Sequence, residues 1–167
     1  MEIYKFPPAI INSYVWAQFE ENAPVFSAQY GSIVPIFPVY DAKAGDASWG
    51  NKSYIVYDNM ARVRSGVFYG VRKEQLVYSI RGDIPEIFAL RDLITDVLDR
   101  GDDTAKDINE YAGENLENPY IFFHDFKVFQ QDFTNEKTDK HSTRQFYSTD
   151  LIIEYQYHQQ SIYKELG

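Results

Sequence analysis

The chain has 167 residues, a formal net charge of −9 and no cysteine. The length suits one domain with a full core, and the missing cysteines exclude a disulfide framework or a thiolate metal site. Sixteen Lys and Arg, scattered and outnumbered by 25 Asp and Glu, argue against a surface that grips a phosphate backbone.

No basic segment followed by an apolar run opens the chain, and no apolar stretch approaches the ~18 residues of a membrane span. A soluble, intracellular protein is the expectation. In chain order, residues 7–21 read as a first helix: Pro7 and Pro8 suit its opening turn, Ile10, Tyr14 and Ala17 make an apolar side, and Asn22-Ala23-Pro24 is the expected stop. Residues 33–40, IVPIFPVY, are extended in type. Pro35 and Pro38 cannot donate to a ladder, which confines this strand to an edge. Residues 41–53 read as a long polar loop in which Trp49 packs back onto its own domain or anchors a neighbour. YIVY (54–57) is a short strand, and GVFYGV (66–71) extends the sheet or bulges between its glycines.

Residues 75–100, QLVYSIRGDIPEIFALRDLITDVLDR, carry the strongest pattern. Leu76, Tyr78 and Ile80 alternate with Val77, Ser79 and Arg81, a period of two. Ile87, Leu90, Ile94, Val97 and Leu98 then fall on one helical face. The change of period comes at Gly82-Asp83. Asp83 can cap the helix with Glu86 returning the bond, Pro85 fits the first turn, and Gly101 is a left-handed stop. A strand therefore feeds an amphipathic helix, 83–100, that folds back over a sheet. A further helix starts at an Asp103 cap, turns Ala105, Ile108, Tyr111 and Ala112 inward, and closes at Gly113; residues 113–119 connect it onward.

The C-terminal third reads as a long hairpin, 120–158. Aromatics fall on both faces of residues 120–133, which a bulge near His124-Asp125 would reconcile. Residues 146–158 alternate Tyr147, Leu151, Ile153, Tyr155 and Tyr157 against a mostly polar set. Between them TNEKTDKHSTRQ (134–145) has no apolar anchor and reads as a mobile tip. The fold expected is α+β: a mostly antiparallel twisted sheet with two to three helices mainly on one face.

No motif announces chemistry. Arg81-Gly82-Asp83 spells an adhesive tripeptide, but it spans a strand end and a helix cap rather than a loop tip. His124, His141 and His158 lack helical metal-site spacing. His124 and His158 lie on neighbouring predicted strands and can meet across them, and are read as satisfied or exposed strand histidines. There is no G-x-S-x-G, no phosphate-cradling glycine loop, and Asp99, Asp102 and Asp103 lack the glycine and glutamate offsets of a Ca²⁺ loop. No catalytic, cofactor or metal residue is assigned. The outlying feature is aromatic: fourteen Tyr, twelve Phe and two Trp, which suit a β-rich core or the core of an interface.

The order of elements resembles that of the tail-terminator and tail-completion (neck) proteins of long-tailed bacteriophages. YIVYD (54–58), LVYSIRGD with the helix after it (76–98), and the closing FFHDFKVFQQDF and FYSTDLIIEYQYH carry the resemblance. It implies a structural virion protein, assembled in the host cytoplasm, that forms a ring, commonly a homohexamer. The ring would cap the tail tube, meet a tail tube and sheath protein on one side and a head-side connector on the other, and let DNA pass without specific binding. No membrane partner, cofactor or catalytic residue comes with it. Head-to-tail rings need protruding elements and open edges. The residues expected at core or interface are therefore Phe129, Phe133, Tyr147, Tyr155 and Tyr157, with Lys137, Asp139, Lys140 and Arg144 on the hairpin tip touching a neighbour. The alternative is a small-molecule-binding α+β domain with an aromatic-lined pocket.

Overall fold

The computed structural model describes residues 6–30, 38–40, 54–64, 70–82, 84–116, 121–130, 134–138 and 145–159. Its elements are α1 (Pro7–Tyr30), β1 (Pro38–Tyr40), β2 (Tyr54–Arg64), β3 (Val71–Gly82), α2 (Ile84–Leu98), α3 (Asp102–Asn115), β4 (Ile121–Gln130), β5 (Thr134–Thr138) and β6 (Gln145–Gln159). The strands form one sheet in the order β1-β2-β3-β6-β4, with β5 also on β6. Every pairing is antiparallel except β1 with β2. The fold is α+β.

The period-two reading of β3 holds in full. Leu76, Tyr78 and Ile80 are buried, while Val77, Ser79 and Arg81 between them are only partly so. Their cross-strand partners continue the core: Tyr78 pairs with Leu151 and Leu76 with Ile153, and Ile80 pairs with Ile55. Ile87, Leu90, Ile94 and Leu98 of α2 close over this face, joined by Ile10, Ile11, Tyr14, Val15 and Phe19 of α1 and by Ala105, Ile108 and Ala112 of α3. All three helices thus cover one side of the sheet. Tyr78 donates its hydroxyl proton to Asn12 Oδ1 at 2.5 Å, tying α1 to the central strand, and burial, then the nearby Tyr57, raises its pKa.

Five expectations are corrected. Helix α1 does not stop at Asn22-Ala23-Pro24 but runs to Tyr30. Proline removes one N–H and crowds the preceding turn, yet its fixed φ is already near the helical value, so it weakens a helix without forbidding it. Asp103 lies inside α3, whose N-cap is Gly101 with φ 63° and ψ −128°. Gly101 stands past the end of α2 at Leu98 and does not cap it, although its positive φ still favours glycine. The junction hydroxyl belongs to Thr104, which accepts from Arg100 N at 3.0 Å and donates to Leu98 O at 3.1 Å. Gly113 does not end α3, which continues to Asn115. Residues 134–145 are not wholly a loop, since β5 pairs with β6 and prolongs the ladder begun by β4. The cap at Asp83, the loop with Trp49, the prolyl strand before Pro38 and the segment 66–69 lie outside the described residues.

The bulge predicted near His124-Asp125 is present: the register slips between Phe123 and Asp125. It shifts the phase of β4 by one, so that Phe123 and Phe126 both reach the core. A regular strand would send one of them to each face.

Beyond β6, the outer edge of β4 has no further strand partner among the described residues. Side chains take up three of its backbone groups instead: Phe123 N, Phe123 O and Val128 N. Asn109 of α3 accepts from Phe123 N and donates to Phe123 O, both at 2.9 Å, so its amide stands where the peptide of another strand would. Asp99 Oδ1 accepts from Val128 N at 3.0 Å. Helix α3 and the turn before it thereby cover an edge that would otherwise invite pairing with another chain.

Candidate interaction surface

The face of the sheet opposite the helices is the one that presents unusual chemistry. Its residues follow from the alternation of β3, β4 and β6. Across the strands, Phe122 stands beside His158, Asp125 beside Gln156 and Lys73, Lys127 beside Glu154 and Gln75, and Phe129 beside Ile152 and Val77. Lys73 Nζ pairs with Glu154 Oε1 at 2.9 Å. Phe122 and Phe129 remain 39% and 47% exposed. Phe129, Ile152 and Val77 thus form an apolar row across the sheet. Toward one end of this face Ser148, on the same phase, is fully buried, so the face is not uniformly wet. There Ser79 Oγ lies 3.3 Å from Ser148 Oγ and accepts from Arg81 Nε at 3.4 Å.

At the opposite end, His124 and His158 do meet across the strands, as their sequence positions allowed: His124 Nε2 lies 2.6 Å from His158 Nδ1. Burial, then the His124 ring, lowers the pKa of His158. Phe122 stacks on the His158 ring at 5.2 Å.

The aromatics expected at core or interface divide. Tyr155 and Tyr157 belong to the core, 0% and 1% exposed, the first of the two places expected of them, and offer no surface to a neighbour. Their hydroxyls donate to one buried carboxylate, Glu74, at 2.8 Å to Oε2 and 2.6 Å to Oε1. Burial, then the charge of Glu74, raises the pKa of Tyr155. Burial, then the hydrogen bond to Glu74, pushes Tyr157 up to about 12. Tyr147 is half-buried against the same core, and Phe129 is exposed. Lys137 lies in β5, with only its backbone described; Phe133, Asp139, Lys140 and Arg144 lie outside the described residues. A strand read from Gln75 onward does not include Glu74. Carrying the phase of Leu76, Tyr78 and Ile80 back two residues would have placed it inside, opposite Tyr155.

The tyrosine shift has a consequence at high pH. An unfolded tyrosine titrates near 10, whereas folded Tyr157 holds its proton to about 12. Its contribution is fully present below pH ~10 and is lost as the pH rises through about 12, because the unfolded chain releases the proton first. Alkaline unfolding is expected to set in within that window. Tyr157→Phe should flatten the pH slope there, measured by urea unfolding at stepped pH beside tyrosinate absorbance; an unchanged slope would reject the assignment.

A cleft of about 470 Å³, open to solvent, lies among the helices. Tyr14 and Tyr111 line it, edge to face at 5.6 Å. Asp96, Glu110 and Glu114 stand around them, and Arg100 is held to Asp107 at 2.7 Å. The described residues contain no group of three or more His, Cys, Asp or Glu placed to hold a metal, and no helix among them is long and apolar enough to cross a membrane. No protein-family model and no curated protein sequence matches the chain.

Proposed function

We propose that the protein is a structural assembly subunit that forms a closed ring, in the manner of a phage tail terminator or neck component. Such a subunit caps the tail tube and offers its other side to the head connector. The observation that supports this reading is the open sheet face, where Phe129 stands 47% exposed in an apolar row with Ile152 and Val77. An aromatic left half in water on a rigid sheet is the kind of residue that anchors interface cores. Covering of the β4 edge by Asn109 and Asp99 leaves surface-to-surface contact, rather than strand addition along that edge, as the way copies would join there. A net charge of −9 suits a lumen that passes DNA without holding it.

Electron microscopy and sedimentation of the purified protein test this. An annular oligomer is expected, and Phe129→Asp should reduce it to folded monomers, because a carboxylate buried in an apolar contact is costly. A monomeric mass for the unaltered protein, both alone and with tail tubes, would sink the reading. The alternative, a small-molecule-binding domain, has the helix cleft in its favour, with Tyr14 and Tyr111 beside carboxylates. It predicts thermal shifts with small organic cations, abolished by Tyr111→Ala, in a protein that stays monomeric or dimeric.

A further inference from the structure

We propose that His124 and His158 form a binding site for a late first-row divalent ion, of the class of Zn²⁺, Ni²⁺ or Cu²⁺, on the open face of the sheet. Imidazole nitrogen is a preferred donor for these ions. The two rings come together for a reason legible in the backbone. The ladder between β4 and β6 passes from Phe123–Tyr157 directly to Asp125–Gln156. His124 is the residue left over at the bulge, with no partner of its own across the strand, so its side chain leans toward His158.

The ring geometry is that of a hydrogen-bonded pair, with the two nitrogens opposed along one line. The centroids are 4.8 Å apart and the planes differ by 26°, while the facing nitrogens are 2.6 Å apart. A centroid separation so close to the nitrogen separation plus two ring radii means that the rings meet edge to edge, each lone-pair direction aimed at the other ring. Phe122, stacked on His158 at 22°, restrains that ring from one side. An ion bonded to both nitrogens at about 2.0–2.1 Å with a tetrahedral angle needs them about 3.3 Å apart. Opening the pair from 2.6 Å to that spacing, with each ring turned about 35° off the line between the nitrogens to meet the tetrahedral angle, takes rotation of the exposed His124 and the half-buried His158 side chains.

Protons balance without help from another group. In the neutral pair one bridging N–H joins the rings. On loading, that proton leaves the facing nitrogen and the ring takes one from water on its other nitrogen, so both facing lone pairs go to the metal with no net proton release. Two protein ligands leave the remaining positions to water, and these face away from the helices.

Titration of the full-length protein with Zn²⁺ and Ni²⁺, followed by isothermal calorimetry and by the histidine ring resonances, tests the site. One ion per chain is expected, with the resonances of His124 and His158 shifted together and those of His141 unmoved. His124→Gln and His158→Gln should each weaken binding by more than about a hundredfold, beyond the roughly 10–100-fold cost of losing a residue that only orients a ligand. Both positions lie on the exposed face, and circular dichroism of each variant establishes that it is folded. Absence of saturable binding, or affinity retained in both single variants, would overturn the proposal. The test reads metal directly and is indifferent to whether the protein forms rings.

Discussion

Replacing Tyr155 and Tyr157 together by Phe is expected to destabilise the protein by about 3–6 kcal/mol, at about 1.5–3 kcal/mol for each hydrogen bond to a charged acceptor. Both phenols are inside the core and both donate to Glu74, itself 1% exposed. The double change keeps the rings and their packing while stripping two donors from a buried carboxylate. The cost therefore lies in the polar groups rather than in lost volume, and the sequel distinguishes the two. Adding Glu74→Leu to the double variant should restore part of the lost stability, because an apolar side chain in an apolar site has no charge to solvate. Urea unfolding of the four combinations gives the coupling. If the double Phe variant unfolds at the urea concentration of the unaltered protein, Glu74 is not held as described. If Glu74→Leu makes matters worse in that background, the carboxylate's other contacts dominate.

Asn109→Ala is expected to cost about 1–3 kcal/mol, the range for leaving polar backbone groups without their partner, and to make the protein prone to association through β4. One amide serves both the N–H and the C=O of Phe123 at 2.9 Å. Its loss exposes a strand edge along which another chain can add. Asn109→Asp should be no better, since a carboxylate accepts from the N–H but repels the carbonyl oxygen. Asn115→Ala, at an exposed position near the end of α3, serves as the control and should stay within about 0.5 kcal/mol. Urea midpoints, exchange of the Phe123 amide and light scattering read the three effects. An Asn109→Ala protein with native Phe123 protection would refute the edge role.

The architecture was legible wherever a periodicity ran long enough to count. The alternation from Leu76 to Ile80, the helical face of Ile87, Leu90, Ile94, Val97 and Leu98, and the alternation from Leu151 to Tyr157 each name one buried side, and burial follows them except at Val97, which is only partly buried. Even the bulge could be anticipated, because aromatics on both faces of residues 120–133 conflict with a regular strand and one extra residue removes the conflict. Boundaries were less legible. Pro24 and Gly113 weaken a helix by local cost, and packing against the rest of the chain sets whether that cost is met.

Side-chain pairings joined by long sequence separations were beyond local reasoning. Alternation places Tyr155 and Tyr157 on the inner face, yet that they meet a carboxylate depends on which residue of β3 stands opposite, and register is settled by the whole sheet. Asn109 reads in sequence as an ordinary polar helix residue; it becomes an edge cap only because α3 lies along β4. His124 and His158 were expected to be able to meet, and the bulge brings their nitrogens to hydrogen-bonding distance. Composition and local pattern thus dictate which residues seek the interior and which elements they build, since burial and backbone propensity act over a few residues. Long-range apposition assigns partners to the polar groups, because a hydrogen bond needs two atoms within about 3 Å and no local pattern supplies that distance.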